Sequence, residues 1–230
     1  MSAEFDRYAG HYEDLLRDPI RDRFAASAEF FHLRKWLLIQ DFFRRRSIRS
    51  KALGWLDVGC GRGELLHLGK THFRTAMGCD PSAEMLRQCG SLAVSHQPDP
   101  AKLPFDDQSF DFISAACVYH HLGPFERLAL TNEVRRVLRP AGLFVIFEHN
   151  PANPATRLVV SRTPVDSNAV LLRARESRDL MKAAGLVPLD TLYYLYLPQR
   201  LFEFAGRLER LLTRVPLGGQ YAVFGEKRPE

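Results

Sequence analysis

Apolar residues fall into two rhythms along this chain. From residue 53 onward, short strand-like segments fall at 53–58, 73–79, 93–96, 110–116 and 142–148. Only Asp111 and Ser114 interrupt the apolar side chains of 110–116, and 142–148 is continuously apolar until its acid, as expected of a sheet covered on both faces. Between them the rhythm turns helical. Residues 125–138 place Leu128, Leu130, Val134, Val137 and Leu138 near one another at helix spacing, and Pro140 stops the run. Ser82 is a suitable N-cap for a helix over 83–89, and Gly185 ends a further helix over 176–184. Residues 186–197 and 220–226 add a late strand pair. Such alternation predicts an α/β protein with a mostly parallel sheet between two helical layers.

The flanks follow a different pattern. Residues 5–12 carry Phe5, Tyr8, Ala9 and Tyr12 on one aromatic face. The helix predicted over 28–45 is apolar on more than one face, which suits a position between the sheet and a cover or a share in a substrate cavity. Lys35 is the charged residue on it best placed to look toward a site, with a solvated lysine as the default reading. Residues 201–212 set Leu201, Phe202, Phe204, Ala205, Leu208, Leu211 and Leu212 against charged neighbours, as expected for core packing or a dimer contact, with interface docking as the lesser reading. Between 150 and 158 two Asn-Pro steps stiffen the connection after the fifth strand.

The chemistry starts at Asp57-Val58-Gly59-Cys60-Gly61-Arg62-Gly63, a tight glycine turn directly after the first strand. Asp80 closes the second strand. A glycine turn and a carboxylate at these two places let an α/β crevice hold an adenine nucleoside: backbone approaches the ligand closely, and the acid accepts from ribose hydroxyls. Two ligands compete. A dinucleotide fingerprint would put a third glycine at position 64, where this chain has Glu64, and a glutamate would repel a pyrophosphate. S-adenosylmethionine has no phosphate and carries a positive sulfonium, so the acidic turn favours it over NAD.

Four ordered motifs then resemble the class I S-adenosylmethionine-dependent methyltransferases, in particular the subgroup called type 11. These are the glycine turn, Gly78-Cys79-Asp80-Pro81-Ser82, the segment from Asp99 to Asp111, and Leu138-Arg139-Pro140-Ala141-Gly142. The resemblance implies a Rossmann-like fold whose seven-stranded, mostly parallel sheet has an antiparallel last strand. It also implies S-adenosyl-L-methionine as cofactor, held by Asp57, Gly59, Gly61, Gly63, Asp80, Pro81, Met85, Asp99 and Ala101. By the same resemblance residues 1–50 form a helical lid on a single domain of residues 1–230. Residues 151–174 and 198–219 are expected as inserts on the substrate side.

Acceptor chemistry is expected beyond the carboxyl ends of the strands. His120 and His121 after the fourth strand, and Glu148 and His149 after the fifth, are the candidates for a base or an acceptor contact. Tyr8, Tyr12, Tyr119, Asn150, Arg157 and Arg162 are the candidate substrate contacts. No metal is expected, because adjacent histidines should point apart and a simple methyl displacement needs none.

Length and composition narrow the class. The chain has 230 residues, 46% apolar and 26% charged, enough for one substantial core. The opening residues lack an apolar run, no stretch reaches membrane-spanning length, and four dispersed cysteines suit a reducing, cytoplasmic setting. The net charge of +5 is scattered. Its densest run, Arg44-Arg45-Arg46, reads as a solvated face. No aromatic-interleaved basic patch accompanies it, so nucleic acid is not expected as a partner. The expected reaction is in-line methyl transfer, at oxygen or nitrogen, to a small or a lipid- or glycan-linked molecule. RNA or protein methylation, and a catalytically silent cofactor-binding protein, stand as alternatives. Monomer, homodimer and peripheral membrane contact stay open.

Overall fold

The computed structural model describes residues 2–229. Short helices α1 (Ser2–Tyr8), α2 (Tyr12–Leu15) and α3 (Pro19–Phe24) lead into the long α4 (Ala28–Arg45). The aromatic face predicted over 5–12 is broken by a 3₁₀ turn between α1 and α2. Then follow β1 (Gly54–Val58), α5 (Glu64–Gly69), β2 (Thr75–Asp80), α6 (Ala83–Arg87) and β3 (Val94–His96). The second half runs β4 (Phe110–Ala116), α7 (Pro124–Val137), β5 (Leu138–His149), α8 (Pro154–Arg162), α9 (Ala174–Ala183), β6 (Val187–Tyr194), α10 (Gln199–Leu212) and β7 (Gln220–Glu226).

All seven strands form one sheet in the order β3-β2-β1-β4-β5-β7-β6. The first five are parallel. β7 inserts antiparallel between β5 and β6, pairing Val145 with Phe224 and Thr191 with Val223. The expected Rossmann-like sheet with its antiparallel last strand is therefore present. Strand order reverses between β1 and β4, which opens a crevice at their carboxyl ends.

Burial explains why these runs became strands. Every residue of β1 is buried, and its one acid is accommodated by a hydrogen-bond chain: Trp55 Nε1–H donates to Ser114 Oγ (2.8 Å), and Ser114 Oγ–H donates to Asp57 Oδ1 (2.6 Å). Within the lid expectation for residues 1–50, α4 lies in the core: the Phe42 ring stacks on Phe224 at 4.0 Å and Phe43 meets Phe112 edge-on at 5.0 Å. Helices α1 to α3 edge the crevice instead.

Helix α10 is turned the other way from the core-packing expectation. It buries Glu209, whose carboxylate takes two hydrogen bonds from the buried Arg34 guanidinium (2.7 and 3.1 Å), while that guanidinium lies 3.7 Å over the Phe202 ring. Leu201, Phe204, Leu208 and Leu211 face outward. Paired charge inside and apolar side chains outside is the reverse of the usual surface helix.

Candidate functional site

The turn after β1 is built for close approach. Gly59 adopts φ +66°, and a Cβ there would lie 2.4 Å from Val118 Cγ2. Gly61 is different: the nearest atom to a Cβ would be Glu64 Oε2 at 3.9 Å, so its backbone faces open space. Its N–H donates to Asp80 Oδ2 (2.8 Å) and Ser82 N–H donates to Asp80 Oδ1 (2.8 Å). Two backbone donors thus hold the carboxylate at the chamber wall, with lone pairs to spare. Burial pushes the Asp80 carboxyl above its ordinary pKa, against the pull of those two hydrogen bonds.

Gly59, Gly61, Asp80, Pro81 and Met85 all line one chamber of about 570 Å³, a size typical of a ligand site. Glu64 starts α5 and also lines it, tied to Arg62 at 3.0 Å. Four expected cofactor contacts, Asp57, Gly63, Asp99 and Ala101, lie elsewhere. Asp57 is held on Ser114 behind the turn, and burial raises its carboxyl to about 7. Gly63, at φ +79°, packs where a Cβ would meet Leu92 at 2.2 Å. Asp99 is exposed and accepts from Ala101 N–H at 2.9 Å, a local turn; Gln97 and Pro100 reach the chamber in place of Asp99 and Ala101.

At the far end of the same chamber, the turn after β4 and the end of β5 bring histidines together. His120 is clamped. Its Nδ1 lies 2.6 Å from Glu148 Oε2 and its Nε2 lies 3.3 Å from Asp166 Oδ1. Glu148 is fully buried and also accepts from Tyr119 N–H at 2.8 Å. Burial alone would lower the His120 pKa, but Glu148 and Asp166 outweigh it and hold the imidazole well above the ordinary range. The same pairing holds Glu148 below the usual carboxylate range despite its burial. Glu148 therefore braces His120 from behind and does not line the chamber.

His121 and His149 do line it. His121 Nε2 is 3.6 Å from Asp166 Oδ1, and burial together with the neighbouring His120 pushes its pKa down to about 3. His149 is pushed down to about 4, again by burial first and His120 next. Its tautomer follows from its partner. Tyr194 O–H donates to Gln220 Oε1 (2.6 Å), which leaves the Gln220 amide nitrogen, 3.4 Å away, to donate to His149 Nδ1. A neutral His149 then carries its proton on Nε2 and acts as a donor.

The candidate substrate contacts divide. Tyr12 lines the chamber, its ring under the Arg62 guanidinium at 5.6 Å. Tyr8 packs edge-on against Phe5 at 5.9 Å, and it is Phe5 that reaches the chamber, meeting the His121 ring at 5.0 Å. Tyr119 points into the core, its hydroxyl 3.0 Å from Thr131 Oγ1. Asn150 is a loop brace, donating to the carbonyls of Pro216 (3.1 Å) and Gly218 (2.8 Å). Arg157 and Arg162 are exposed, the latter 3.9 Å from Asp18.

Lys35 is buried and faces the chamber rather than solvent, and His32 lies one turn before it. The His32 Nδ1 has no hydrogen-bond partner among the described residues. Asp166 is the acceptor-side residue that sequence reasoning missed. No motif announces it, because the α8 insert delivers it to the histidines from a distant part of the chain.

Comparison with known proteins fits this geometry. Residues 56–146 match the methyltransferase-domain family. The chain carries a class I S-adenosylmethionine-dependent methyltransferase domain. It is 36% identical over 93 residues to the probable tRNA methyltransferase 9B of Mus musculus, across 40% of this chain and 20% of that protein. It is 32% identical over 154 residues to the demethylmenaquinone methyltransferase of Chlorobaculum parvum, across 65% of this chain and 58% of that one. A Thermotoga maritima S-adenosylmethionine-dependent methyltransferase, described as a possible histamine N-methyltransferase, shares the fold with TM-score 0.71 and 17% identity, over 99% of this chain and 100% of that one. The chain thus spans about a fifth of the mouse relative's length. That relative also corrects one expectation: nucleic acid cannot be set aside as a partner when a tRNA methyltransferase is among the similar proteins.

The glycine end of the chamber fits the family's cofactor. Gly61 leaves the backbone uncovered, Asp80 offers carboxylate lone pairs suited to a ribose diol, and Pro81, Met85 and Pro100 supply an apolar wall for a flat base. Glu64 at the start of α5 opposes a pyrophosphate and favours a cation. No helix among the described residues is long and apolar enough to cross a membrane.

Proposed function

We propose that this protein transfers the methyl group of S-adenosylmethionine to a compact acceptor that enters the chamber beside the cofactor. The observation carrying this reading is a single one. The glycine turn and Asp80 open onto the same chamber as His121 and His149, so donor and acceptor can meet side by side. The cofactor supplies an electrophilic methyl group; everything else falls to the chain. Gly61 and Asp80 hold the nucleoside, and Glu64 complements the sulfonium. His149 Nε2–H donates to the acceptor and orients it, while Glu148 acts through His120 as a positioning residue.

The remaining wall is largely apolar, formed by Leu16, Ile20, Phe24, Phe31, Val159 and Val160. That supports a small amphiphilic molecule or a lipid- or glycan-linked group as acceptor, with its polar atom at the histidines. The tRNA methyltransferases among the similar proteins favour a second reading, more strongly than the small-molecule one: a base turned out of tRNA into the same chamber. Incubating the protein with methyl-tritiated cofactor and, separately, total tRNA or an amphiphile-rich extract separates the two by where the label partitions. A protein that binds the cofactor no tighter than millimolar in calorimetry and labels neither pool refutes the proposal outright.

A further inference from the structure

Adjacent histidines were expected to diverge, yet the 3₁₀ turn at Tyr119–His121 brings the two imidazoles to a centroid distance of 4.1 Å. Asp166 completes a group whose ligand atoms all lie within 4.8 Å of one another. We propose that His120, His121 and Asp166 form a site for a divalent transition-metal ion at the acceptor end of the chamber, with Glu148 as the supporting carboxylate. The binding itself does not depend on the function proposed above; only the use of the ion on an acceptor does.

Geometry carries the argument. Two ligand atoms each about 2.1 Å from a zinc-like ion lie about 3.0 Å apart at a right angle and about 3.4 Å apart at the tetrahedral angle. Here Asp166 Oδ1 lies 3.3 Å from His120 Nε2 and 3.6 Å from His121 Nε2, close to that range and long for direct hydrogen bonds. The other nitrogen of His120 is engaged by the buried Glu148 at 2.6 Å, the carboxylate–histidine arrangement that orients metal-binding imidazoles and raises their basicity.

Charge points the same way. Glu148 and Asp166 place two carboxylates beside these imidazoles, one on each side of the His120 ring. A dication bound by two neutral imidazoles would complement both carboxylates. Two histidines and one carboxylate suit zinc, iron(II) or nickel better than magnesium or calcium. His120, His121 and Asp166 all line the chamber, so further coordination positions open toward the acceptor. An ion there would polarise an acceptor hydroxyl or chelate neighbouring oxygens.

The test uses the full chain, stripped with chelator and titrated with Co²⁺, then competed with Zn²⁺. The expected result is one equivalent of cobalt with a visible absorption band that zinc abolishes. His121→Ala and Asp166→Ala should each weaken binding by 100-fold or more, on the order of the loss of one ligand, and Glu148→Gln by about 10- to 100-fold. Should those variants fail to fold, cobalt-shifted imidazole proton signals in the unmodified protein decide instead. Two such histidines at one equivalent support the site. A stoichiometry near zero, shifted signals from other histidines, or unchanged affinity in folded His121→Ala and Asp166→Ala overturns it. Cofactor affinity measured without added metal tests the proposed function separately.

Discussion

Asp57 offers a sharp test of how this fold tolerates a carboxylate in its central strand. It is buried between neighbouring strands and accepts from Ser114 Oγ–H, and burial raises its carboxyl from 3.8 to about 7, with Glu64 adding to the rise. The sign follows from linkage. Between pH 3.8 and about 7 the unfolded chain has lost this proton and the folded chain still holds it, so raising the pH across that window costs stability. Roughly three pH units at about 1.4 kcal/mol each give a cost on the order of 4 kcal/mol, complete above neutrality. Asp57→Asn keeps the shape and the oxygen that accepts from Ser114 but cannot ionise. Urea unfolding of both proteins at several pH values from 4 to 8 should show the variant gaining on the parent steadily through that window. A difference that stays constant with pH, or that narrows as the pH rises, would refute the reasoning. The same carboxylate sits behind the glycine turn, so a bound sulfonium nearby should shrink the difference.

Four further outcomes follow from named residues. Asp80→Ala should weaken cofactor binding by about 1.5–3 kcal/mol, the value of a charge-assisted hydrogen bond, in calorimetry; an unchanged dissociation constant would remove Asp80 from the cofactor's partners. Gly59→Ala must hold a side chain at φ +66° and displace Val118, and should cost about 1–3 kcal/mol in unfolding free energy. Glu209→Ala leaves the Arg34 guanidinium buried without its carboxylate and should cost about 3–5 kcal/mol, whereas Phe204→Ser on the outward face of α10 should leave stability near the parent's.

What could be read from the chain depended on how local the cause was. The parallel strands announced themselves because burial on both faces demands mostly apolar runs, and β1 and β4, each interrupted by a single acid, are where such runs fell. The glycine turn was legible because positive φ and close packing leave few other residues that fit. Tyr119 was not, since its position in a short 3₁₀ turn decides whether it faces substrate or core, and its hydroxyl found Thr131. Gln97 displaced Asp99 at the chamber for a similar reason: Asp99 satisfies a backbone N–H two residues on, which turns it to solvent.

Helix α10 and Asp166 show the limit more clearly. A periodic pattern tells that a helix has an apolar side, but not that the neighbouring element has a side to receive it. Here α4 offers α10 the guanidinium of Arg34, and one well-made buried ion pair with Phe202 against it settles the orientation, leaving Leu208 and Leu211 outside. Asp166 reaches the histidines only because α8 folds back after the Asn-Pro steps, with Asn153 capping that helix through Thr156 N–H at 2.9 Å. The stiff insert was visible in the sequence; the carboxylate it delivers was not. In this fold the cofactor end is written in short motifs at the ends of β1 and β2, while the acceptor end is assembled from segments that meet only after the sheet has closed, and it is there that the chain's own chemistry must reside.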